Sequence, residues 1–371
     1  MNRDLKNLKV AITHDYLYEY GGAEQVLWEL LKIFPSADIY TSIFRPSKKQ
    51  RAFWFEVKKH RLNYSTISKL NLPKRLYKAF LFSQIKYFKN LDLSKYDLVI
   101  SSSSAFAKYI NTDKSTKHIA YIHTPPRFIW GYETAFYHKL PRIVKKLLKS
   151  PIENLKVVDK HAVESADQVL TNSKNIREKI EDVYGMKAQI IYPPVQMEKI
   201  INSKKVNKKN YYLTIGRLYD YKKIELIVQA FAELNKELVV IGDGPQRGYL
   251  EKIAGPKTTL PGFVDEEVKI KFLQEARGFI FAAEEDFGIV MVEALAAGTP
   301  VIAYDKGGAK EIVRDNYNGV LFAGQTSSDI IEAVKKFEKL TFDQRQVTSS
   351  IAQFSPENFE TELYKVIDKV L

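Results

Sequence analysis

The sequence predicts an α/β protein with two Rossmann-like domains, each a doubly wound parallel sheet covered by helices on both faces. Short apolar runs of strand length alternate with amphipathic stretches of helix length, which is typical of a parallel sheet buried on both faces. A polar and basic stretch over residues 196–210 interrupts this alternation, which then starts again. Two successive sheets joined by a linker therefore account for the 371 residues.

Each predicted strand is a run of mainly β-branched, aromatic or other apolar residues between polar or glycine-containing turns. In the first half, a helix is predicted at Ala23–Ile33 and strands at Lys9–Thr13, Leu98–Ser101, His118–His123, Gln168–Thr171 and Ala188–Tyr192. In the second half, a helix is predicted at Ile224–Leu234 and strands at Tyr211–Gly216, Glu237–Ile241, Gly278–Ala282, Pro300–Tyr304 and Gly319–Phe322. We expect one domain over residues 1–200, a second over 201–355, and a C-terminal helix over 356–371 that packs back on the first.

The composition excludes several classes of protein. The chain has no cysteine, so it has neither a disulfide framework nor a thiolate zinc site, and we expect a reducing, cytoplasmic location. The N-terminal stretch MNRDLKNLKVAIT lacks the apolar core of a signal peptide. No window approaches the ~18 uninterrupted apolar residues of a membrane-spanning helix. The sequence therefore predicts a soluble protein.

Nearly all of the formal net charge of +13 lies in one part of the chain. From Arg45 to Lys89 there are 13 Lys and Arg residues against a single acid, Glu56, which leaves +12. Aromatic residues are interleaved with these cations, and this mixture suits an anionic lipid surface or a nucleic acid. The alternative is a solvated basic face over an ordinary helical core. We call residues 45–90 the basic segment.

Glycines, cations and titratable side chains follow the predicted strands directly. In chain order these are His14 and Asp15, Gly21 and Gly22, His123, Arg217 with Lys222 and Lys223, GDGP after ELVVI, and EEDFG after GFIFA. Ligands of parallel sheets bind beyond the carboxyl ends of the strands, where glycines, cations and helix N-termini hold phosphates. The sequence therefore predicts a phosphate-bearing ligand.

The stretch EEDFGIVMVEALAAG, residues 284–298, places an isolated carboxylate, Glu293, within a run that otherwise predicts a buried helix. A buried carboxylate whose partner is missing costs about 3–5 kcal/mol, so Glu293 needs a partner. Both a vicinal diol, such as that of a ribose, and a basic side chain from elsewhere in the chain remain open. At the start of the same helix, the amides of Gly288, Ile289 and Val290 would face an anion.

The run EDFGIVMVEALAAGTPVIA, followed by KGGAKEIV, resembles the E-x7-E signature of glycosyltransferase family 4, a retaining family with the GT-B fold. The resemblance continues, densely in the second half and sparsely in the first, through GRLYDYKKIELIVQAF, GDGPQ, PGFV and GGAEQVL. It implies two Rossmann-like domains that face a cleft. The segments EEDFGIVMVEA, AYDKGG, GRLYDYKK and HTPPRFIW look most like GDP-mannose-dependent mannosyltransferases of O-antigen and polysaccharide synthesis.

The resemblance implies a role for each matching position. Arg217 and Lys222 match the basic pair that binds the donor diphosphate and stabilises the leaving group. Glu285 matches the carboxylate that contacts the donor sugar, and His123 matches a histidine near the transferred sugar. These four are the implied catalytic groups. The implied nucleotide-sugar site comprises Gly22, Arg217, Lys222, Gly244, Phe263, Val264, Glu285, Phe287, Gly288, Ile289, Val290 and Glu293.

Within that implied site, Glu293 matches the carboxylate on the nucleotide ribose, and Gly22 belongs to a glycine loop near the phosphates. Phe263 and Val264 fall where the backbone meets the nucleobase. Two positions outside it depart from the family pattern. Lys223 stands where many members have glycine, and Gln196 stands where many have aspartate.

The implied reaction is retaining transfer of a hexose, mannose from GDP-mannose, to a lipid-linked or oligosaccharide acceptor. The first domain would bind the acceptor and the second the nucleotide sugar. The chain contains no Asp-x-Asp triplet, so we expect transfer without a metal or other cofactor, with protein cations neutralising the leaving diphosphate. The basic segment would hold the protein peripherally on anionic lipid at the cytoplasmic face of the membrane, and no nucleic-acid partner is expected.

Three alternatives stay open. The first is a UDP-sugar donor within the same family. The second is an NAD-type oxidoreductase, because the strand ELVVI is followed by the loose dinucleotide pattern Gly242-x-Gly244-x-x-x-Gly248. The third is a non-catalytic polyanion-binding protein built on the basic segment.

Overall fold

The computed structural model describes residues 8–46, 50–70, 76–77, 80–131, 142–202 and 206–371, with the side chains of all of these except 142–149. The chain forms two compact units. The first unit contains the chain up to Pro194 together with Phe359–Leu371, and the second contains Val195–Asn358.

The first unit is built on a seven-stranded parallel sheet with the order β3-β2-β1-β4-β5-β6-β7. Its strands are β1 (Val10–Leu17), β2 (Asp38–Phe44), β3 (Leu62–Tyr64), β4 (Leu98–Ser103), β5 (Lys117–Ile122), β6 (Gln168–Thr171) and β7 (Gln189–Ile190). Strands are added outward on both sides of β1 and β4, which is the doubly wound arrangement that the sequence predicts. The predicted fold class is confirmed for this half.

The helices of the first unit are α1 (Gly22–Ile33), α2 (Arg51–Lys59), α3 (Leu81–Lys89), α4 (Arg127–Trp130), α5 (Arg142–Glu164) and α6 (Lys174–Tyr184). Strand β2 was not predicted, because its sequence DIYTSIF carries polar residues at positions that turn out to be fully buried. Their hydroxyls are satisfied locally: Ser42 donates to Gln84 Oε1 at 3.0 Å, and Thr41 donates to the carbonyl of Ile43 at 3.3 Å. Because these buried hydroxyls have hydrogen-bond partners, an interior strand can carry polar residues, and the hydropathy pattern did not reveal it.

The second unit is built on a six-stranded parallel sheet with the order β10-β9-β8-β11-β12-β13. Its strands are β8 (Tyr211–Ile215), β9 (Glu237–Ile241), β10 (Thr258–Gly262), β11 (Gly278–Phe281), β12 (Val301–Tyr304) and β13 (Gly319–Phe322). Five of them were predicted as apolar runs. Strand β10 was not, because Pro261 lies within it, and its place at the edge of the sheet explains why proline is tolerated there.

The helices that cover this second sheet are α7 (Glu198–Ile201), α8 (Ile224–Leu234), α9 (Arg247–Ile253), α10 (Glu266–Glu275), α11 (Ile289–Ala296), α12 (Ala309–Ile312), α13 (Ser327–Glu338) and α14 (Gln344–Ser349). A last helix, α15 (Pro356–Val370), belongs to the first unit from Phe359 onward. Its Phe359, Leu363, Val366 and Ile367 recur with helical spacing and are buried in the core under β1 and β4.

The units meet along the chain at Pro194 and Val195, ahead of the boundary expected after residue 200. The amide of Val195 donates to the carbonyl of Phe354 at 2.9 Å, and Gln274 Nε2 donates to the carbonyl of Ile200 at 3.3 Å. These bonds hold the start of the stretch 196–210 to the second unit, and α7 makes part of it helical. Residues 203–205 of that stretch lie outside the described residues.

One buried carboxylate ties several elements of the first unit together. Asp159 on α5 is fully buried and pairs with the equally buried Lys108 at 2.7 Å. Its oxygens also accept from Tyr109 Oη at 2.7 Å, Trp130 Nε1 at 2.7 Å and Tyr184 Oη at 2.6 Å. Burial together with the Asp159 charge holds the pKa of both tyrosines above its usual range. The loop after β4, α4 and α6 are thereby fastened to α5.

Across the ranges that the structure covers, no helix combines the length and the apolar character that crossing a bilayer would require.

Candidate functional site

The loop that follows β8 carries the two predicted cations of the second unit. Arg217 is exposed, donates from Nη2 to Tyr221 Oη at 2.9 Å, and has its guanidinium 5.8 Å from the Tyr219 ring centroid. A short 3-10 turn over Asp220–Lys222 then brings Lys222 back beside the strand end. The loop therefore presents one exposed and one half-buried cation.

Lys222 forms an ion pair with Glu285, which lies in the loop after β11. Strands β8 and β11 are neighbours in the sheet, so the two loops meet at the same edge. The side chains are only 17% and 22% exposed. Burial lowers the pKa of Lys222 to about 8, and the nearby Arg217 acts in the same direction. The sequence predicted both residues as site groups but did not predict that they pair.

Lys223, the residue that precedes α8, has a φ of +56°, in the left-handed region that favours glycine. This backbone geometry explains why a glycine is the common residue at this position in the family that the sequence resembles. The lysine retains that geometry, and its Nζ lies 3.8 Å from Glu225 Oε1.

The GDGP turn after β9 supports the Arg217 loop. A Cβ on Gly242 would lie 1.8 Å from the carbonyl oxygen of Gly216, and one on Gly244 would lie 2.5 Å from that of Leu218. The chain needs glycine here because two backbones touch. A Cβ on Gly248 would meet nothing within 4 Å. Packing between two loops of the second unit therefore requires two of the three glycines of the loose dinucleotide pattern, and the position of Gly248 does not require a glycine.

A second pair of glycines supports the loop that carries Glu285. The amide of Gly308 donates to the carbonyl of Glu285 at 2.9 Å. A Cβ on Gly307 would lie 2.2 Å from that same carbonyl oxygen, and one on Gly308 would lie 2.1 Å from the carbonyl oxygen of Phe287. The turn after β12 thus fixes the backbone of the EEDFG loop.

Gly288 adopts a φ of +98° at the start of α11, an eight-residue helix. The amides of Gly288, Ile289 and Val290 lie at the N-terminus of this helix, where the helix dipole favours an anion. Phe287, just before it, is buried and packs edge-to-face on Phe354 with ring centroids 5.4 Å apart. The predicted phosphate-facing residues are therefore neighbours at one helix end.

Glu293 on α11 pairs with Lys269 on α10, with Nζ 2.8 Å from Oε1. The two side chains are 13% and 25% exposed. A basic residue from elsewhere in the chain was one of the two partners that the sequence left open, and Lys269 is that residue. Sequence reasoning missed Lys269 because nothing in its own helix distinguishes it from other surface lysines.

The residues predicted near the nucleobase follow the edge strand β10. Phe263 is 59% exposed, and Val264 is half-buried. They precede Asp265, the residue that caps α10. Lys269 lies on that helix, so the PGFV loop and the Lys269–Glu293 pair are contributed by adjoining segments of the second unit.

The first unit contributes His123, directly after β5 and 7% exposed. Its Nε2 lies 2.8 Å from Ser102 Oγ, and His14 Nδ1 lies 3.1 Å from the same hydroxyl. Burial lowers the pKa of His123 to about 3, and the neighbouring His14 acts in the same direction. His123 is therefore a neutral imidazole at physiological pH. The sequence named His123 and His14 but missed Ser102, which looked like an ordinary strand residue.

Gly22 is the first residue of α1, and the preceding Gly21 caps that helix. The amide of Gly21 donates to Glu24 Oε2 at 2.8 Å, which is half of a capping box, and Glu24 Oε1 lies 3.4 Å from His14 Nε2. The sequence GGAE could have indicated this role of Glu24, since an acidic residue three positions after the capping residue is part of the capping-box pattern. Glu24 was nevertheless missed as a site residue.

Asp15 has a different task from its neighbour His14. Its carboxylate accepts the backbone amides of the four successive residues 104–107 at 2.5–2.8 Å. Asp15 was among the strand-end groups from which the sequence predicted a ligand site, but its carboxylate is buried against the loop after β4. Asp15 instead shapes that loop.

The comparisons with known proteins agree with this architecture. Residues 20–199 match the family model described as Glycosyltransferase Family 4, and residues 196–353 match that of Glycosyl transferases group 1. An uncharacterized glycosyltransferase of Methanocaldococcus jannaschii is 31% identical over 179 residues, 41% of this chain and 46% of that protein. The alpha-1,3/1,6-mannosyltransferase ALG2 of Dictyostelium discoideum is 23% identical across 100% of both chains.

Among solved structures, Anabaena HepE in complex with UDP has a TM-score of 0.69 to this chain at 15% identity, covering 98% of this chain and 100% of that one. The two Rossmann-like units, each built on a parallel sheet, define the fold class as GT-B. The two family models together span most of the sequence, and the chain belongs to glycosyltransferase family 4. The chain spans about half the length of several curated relatives that it matches, between 46% and 57%.

Proposed function

We propose that this protein is a retaining glycosyltransferase that moves a hexose from a nucleotide sugar to a glycan or lipid-linked acceptor. The observation that carries the proposal is the cluster of Arg217, Lys222 and Glu285 at the carboxyl edge of the second sheet. Two cations beside a carboxylate match the needs of a sugar diphosphate, whose phosphates require positive charge and whose sugar hydroxyls require an acceptor.

Charge stabilisation would be the main contribution of the second unit to the reaction. As the bond to the sugar breaks, negative charge develops on the departing diphosphate, and Arg217, Lys222 and the N-terminus of α11 would stabilise it. Glu285 would accept hydrogen bonds from the donor sugar, and its contact with Lys222 would hold it in place. Glu293, oriented by Lys269, would accept from the ribose diol.

The proposed chemistry assigns the charge-neutralising role to protein cations rather than to a metal ion. Within the described ranges, no group of three or more His, Asp or Glu side chains is placed to hold a metal. We expect turnover to persist in EDTA. Complete loss in EDTA, with recovery on adding magnesium or manganese, would contradict this part of the proposal.

For the donor we propose GDP-mannose, with a UDP-sugar as the alternative. The segments around Lys222, Glu285 and His123 resemble those of GDP-mannose-dependent enzymes, and a relative that aligns over the full chain is named a mannosyltransferase. An NAD-dependent reaction is disfavoured, since loop packing explains Gly242 and Gly244, two of the three glycines that suggested it.

A donor screen tests the proposal. Purified protein would be incubated with GDP-mannose, UDP-glucose or UDP-N-acetylglucosamine, with and without candidate lipid-linked acceptors, while released nucleoside diphosphate is measured. Release of GDP from GDP-mannose alone is the expected result. Release of UDP would select the alternative donor. Tight binding of NADH, with no nucleotide sugar bound, would overturn the proposed activity.

For the acceptor side we propose reversible attachment to anionic lipid at the cytoplasmic face of the membrane. Phe55 on α2 and Phe82 on α3 are 66% and 68% exposed. On each helix, exposed lysines lie three or four residues further on, among them Lys58 and Lys86, so an aromatic ring and cations share a helix face. Other cations of the basic segment, Lys48, Lys49, Lys74, Arg75 and Lys78, lie outside the described residues.

A flotation assay with phosphatidylglycerol vesicles tests this attachment. Each lysine near an anionic bilayer is worth about 1 kcal/mol, so Lys58→Glu, Lys86→Glu and Lys89→Glu together should abolish flotation. Phe55→Ser with Phe82→Ser should weaken it. The control is Lys335→Glu with Lys339→Glu, two exposed positions of the second unit. Flotation that resists both salt and the first set of changes would show that the basic segment is a solvated surface.

A further inference from the structure

The carboxyl edge of the first sheet carries a row of three polar side chains on one face. Alternate residues of a strand point to the same face, and in each of three neighbouring strands two apolar residues are followed by a polar one. The triplets are Val10, Ile12 and His14 on β1, Leu98, Ile100 and Ser102 on β4, and Ile119, Tyr121 and His123 at β5. The six apolar members belong to one core cluster. The three polar residues therefore lie at the boundary of that core, on the same face of the sheet as its apolar residues.

Hydrogen bonds join this row to α1. The register pairs His14 with Ser102 across β1 and β4. Ser102 Oγ lies between His123 Nε2, at 2.8 Å, and His14 Nδ1, at 3.1 Å. His14 Nε2 is 3.4 Å from Glu24 Oε1, and Glu24 Oε2 accepts the Gly21 amide at 2.8 Å. The two histidines and the serine are 2%, 7% and 0% exposed, so water does not compete for these bonds.

The proton on each atom of this chain follows from the donor and acceptor rules. The Glu24 carboxylate only accepts, so His14 Nε2 carries hydrogen and, in neutral His14, Nδ1 is the acceptor. Ser102 must then donate its one hydroxyl hydrogen to His14 Nδ1. Its oxygen is left to accept from His123, whose Nε2 therefore carries the hydrogen. The low pKa of His123, about 3, leaves that imidazole with a single proton, so its Nδ1 is unprotonated.

We propose that Glu24, His14 and Ser102 form a hydrogen-bonded relay that holds His123 in its Nε2–H tautomer and presents Nδ1 as an acceptor for a sugar hydroxyl. No described residue makes a hydrogen bond to Nδ1. The sugar part of this inference rests on the proposed function, whereas the tautomer rests on the hydrogen-bond geometry together with a neutral state of both histidines. Glu24, His14 and Ser102 are positioning residues, since they act through His123.

Glu24→Gln reverses the direction of the relay. The Gly21 amide needs an acceptor, so the glutamine oxygen would take that bond and its amide nitrogen would face His14. A donor at this place makes His14 Nε2 the acceptor and Nδ1 the donor. Ser102 then donates to His123 Nε2, and His123 becomes the Nδ1–H tautomer. One substitution of nearly the same shape should therefore move the proton from one ring nitrogen to the other on His123, a residue three hydrogen bonds away.

Nitrogen NMR of protein labelled with ¹⁵N-histidine shows directly which ring nitrogen of His123 is protonated. The chain has six histidines, and the His123 signals are assigned by their disappearance in His123→Gln. Wild-type protein should show a protonated Nε2 and an unprotonated Nδ1. Glu24→Gln should exchange the two, and Ser102→Ala should give a mixture of tautomers. Glu29→Gln is the matched control, because Glu29 is on the same helix but pairs with Lys32 at 2.9 Å.

Wild-type protein with a protonated Nδ1, or a tautomer unchanged in Glu24→Gln, would overturn the relay. Measurement of kcat provides a second test, which concerns the contact between Nδ1 and the sugar. Loss of one hydrogen bond to the sugar should lower kcat by about tenfold in Glu24→Gln, with donor affinity unchanged. An inverted tautomer with unchanged kcat would overturn the contact between Nδ1 and the sugar. Failure of wild-type protein to bind any nucleotide sugar would instead refute the proposed function and leave the tautomer result standing.

Discussion

The two sheets end in polar groups that differ in charge and in exposure. At the edge of the second sheet, Arg217 is exposed, and the ion pair of Lys222 and Glu285 is about one-fifth exposed. At the edge of the first sheet, His14 and His123 are almost fully buried. Burial depresses the pKa in both places, to about 8 for Lys222 and about 3 for His123, but only the second value leaves the group neutral at pH 7.

This difference shows how the same strand-end position serves two kinds of recognition. Charged groups that keep some contact with solvent can bind a diphosphate without a prohibitive desolvation cost. Buried groups that are joined to one another by hydrogen bonds suit hydroxyls, for which direction matters more than charge. A fully buried charge pair of the first unit, Lys108 and Asp159, instead fastens the loop after β4 to α5.

The largest effect is expected where charge is fully buried. Lys108→Met leaves Asp159 buried without its cation and should lower the free energy of unfolding by about 3–5 kcal/mol. Lys336→Met is the control, because Lys336 and Asp315 also lie 2.7 Å apart but are 44% and 38% exposed. That change should cost less than about 1 kcal/mol. Urea unfolding curves of both variants measure the contrast, and equal losses would contradict the role of burial.

The second effect concerns the charges of the donor edge. Arg217→Ala and Lys222→Ala should each lower kcat by on the order of 10²-fold, since each removes a charge that stabilises the leaving diphosphate. Folding should change little in Arg217→Ala, because Arg217 is exposed. Lys257→Ala is the control, as this lysine follows α9 and its Nζ donates to the carbonyl of Asn235 at 3.0 Å. Near-normal turnover in either site variant would remove that residue from the assignment.

The pH dependence of turnover should reflect the titration of Lys222 at the edge of the second sheet and not that of His123 at the edge of the first. Lys222 is charged below its lowered pKa of about 8 and neutral above it. Because the diphosphate binds the charged form, kcat/KM should hold below pH 8 and fall by about tenfold per pH unit above it. His123 stays neutral throughout this range. Lys222→Arg should shift the fall to higher pH. A pH profile that is identical in wild type and Lys222→Arg would show that another group titrates.

The smallest expected effects are kinetic, and they distinguish the roles of the two carboxylates Glu285 and Glu293. Glu293→Gln keeps its shape but weakens acceptance from the ribose, so donor KM should rise by about tenfold while kcat falls less. Glu285→Gln should lower kcat more than it raises KM. Glu275→Gln, on α10 and paired with Lys209 at 2.8 Å, is the control. Steady-state kinetics with varied donor measure the split, and the same behaviour in both variants would show that the two carboxylates share one role.

Prediction from sequence succeeded where one segment carries its own signal. Strands β8, β9, β11, β12 and β13 are apolar runs between turns, so their hydropathy revealed them. Strand β2 was missed because its polar residues find partners only after folding, Ser42 with Gln84 among them. Strand β10 was missed because Pro261 is tolerated only at a sheet edge, and strand order is not visible in a local pattern.

The chemistry of the candidate sites divides in the same way. Glycines that close contacts between loops, cations after strands and an isolated glutamate in an apolar helix are properties of short segments. The sequence by itself determined the fold class, the strand-end placement of Arg217, Glu285 and His123, and the need of Glu293 for a partner. Tertiary structure alone decided that Lys222 meets Glu285, that Lys269 meets Glu293, and that Ser102 links two histidines. These partners are far apart in the chain and meet because of the order of strands and helices, which depends on the packing of the whole unit.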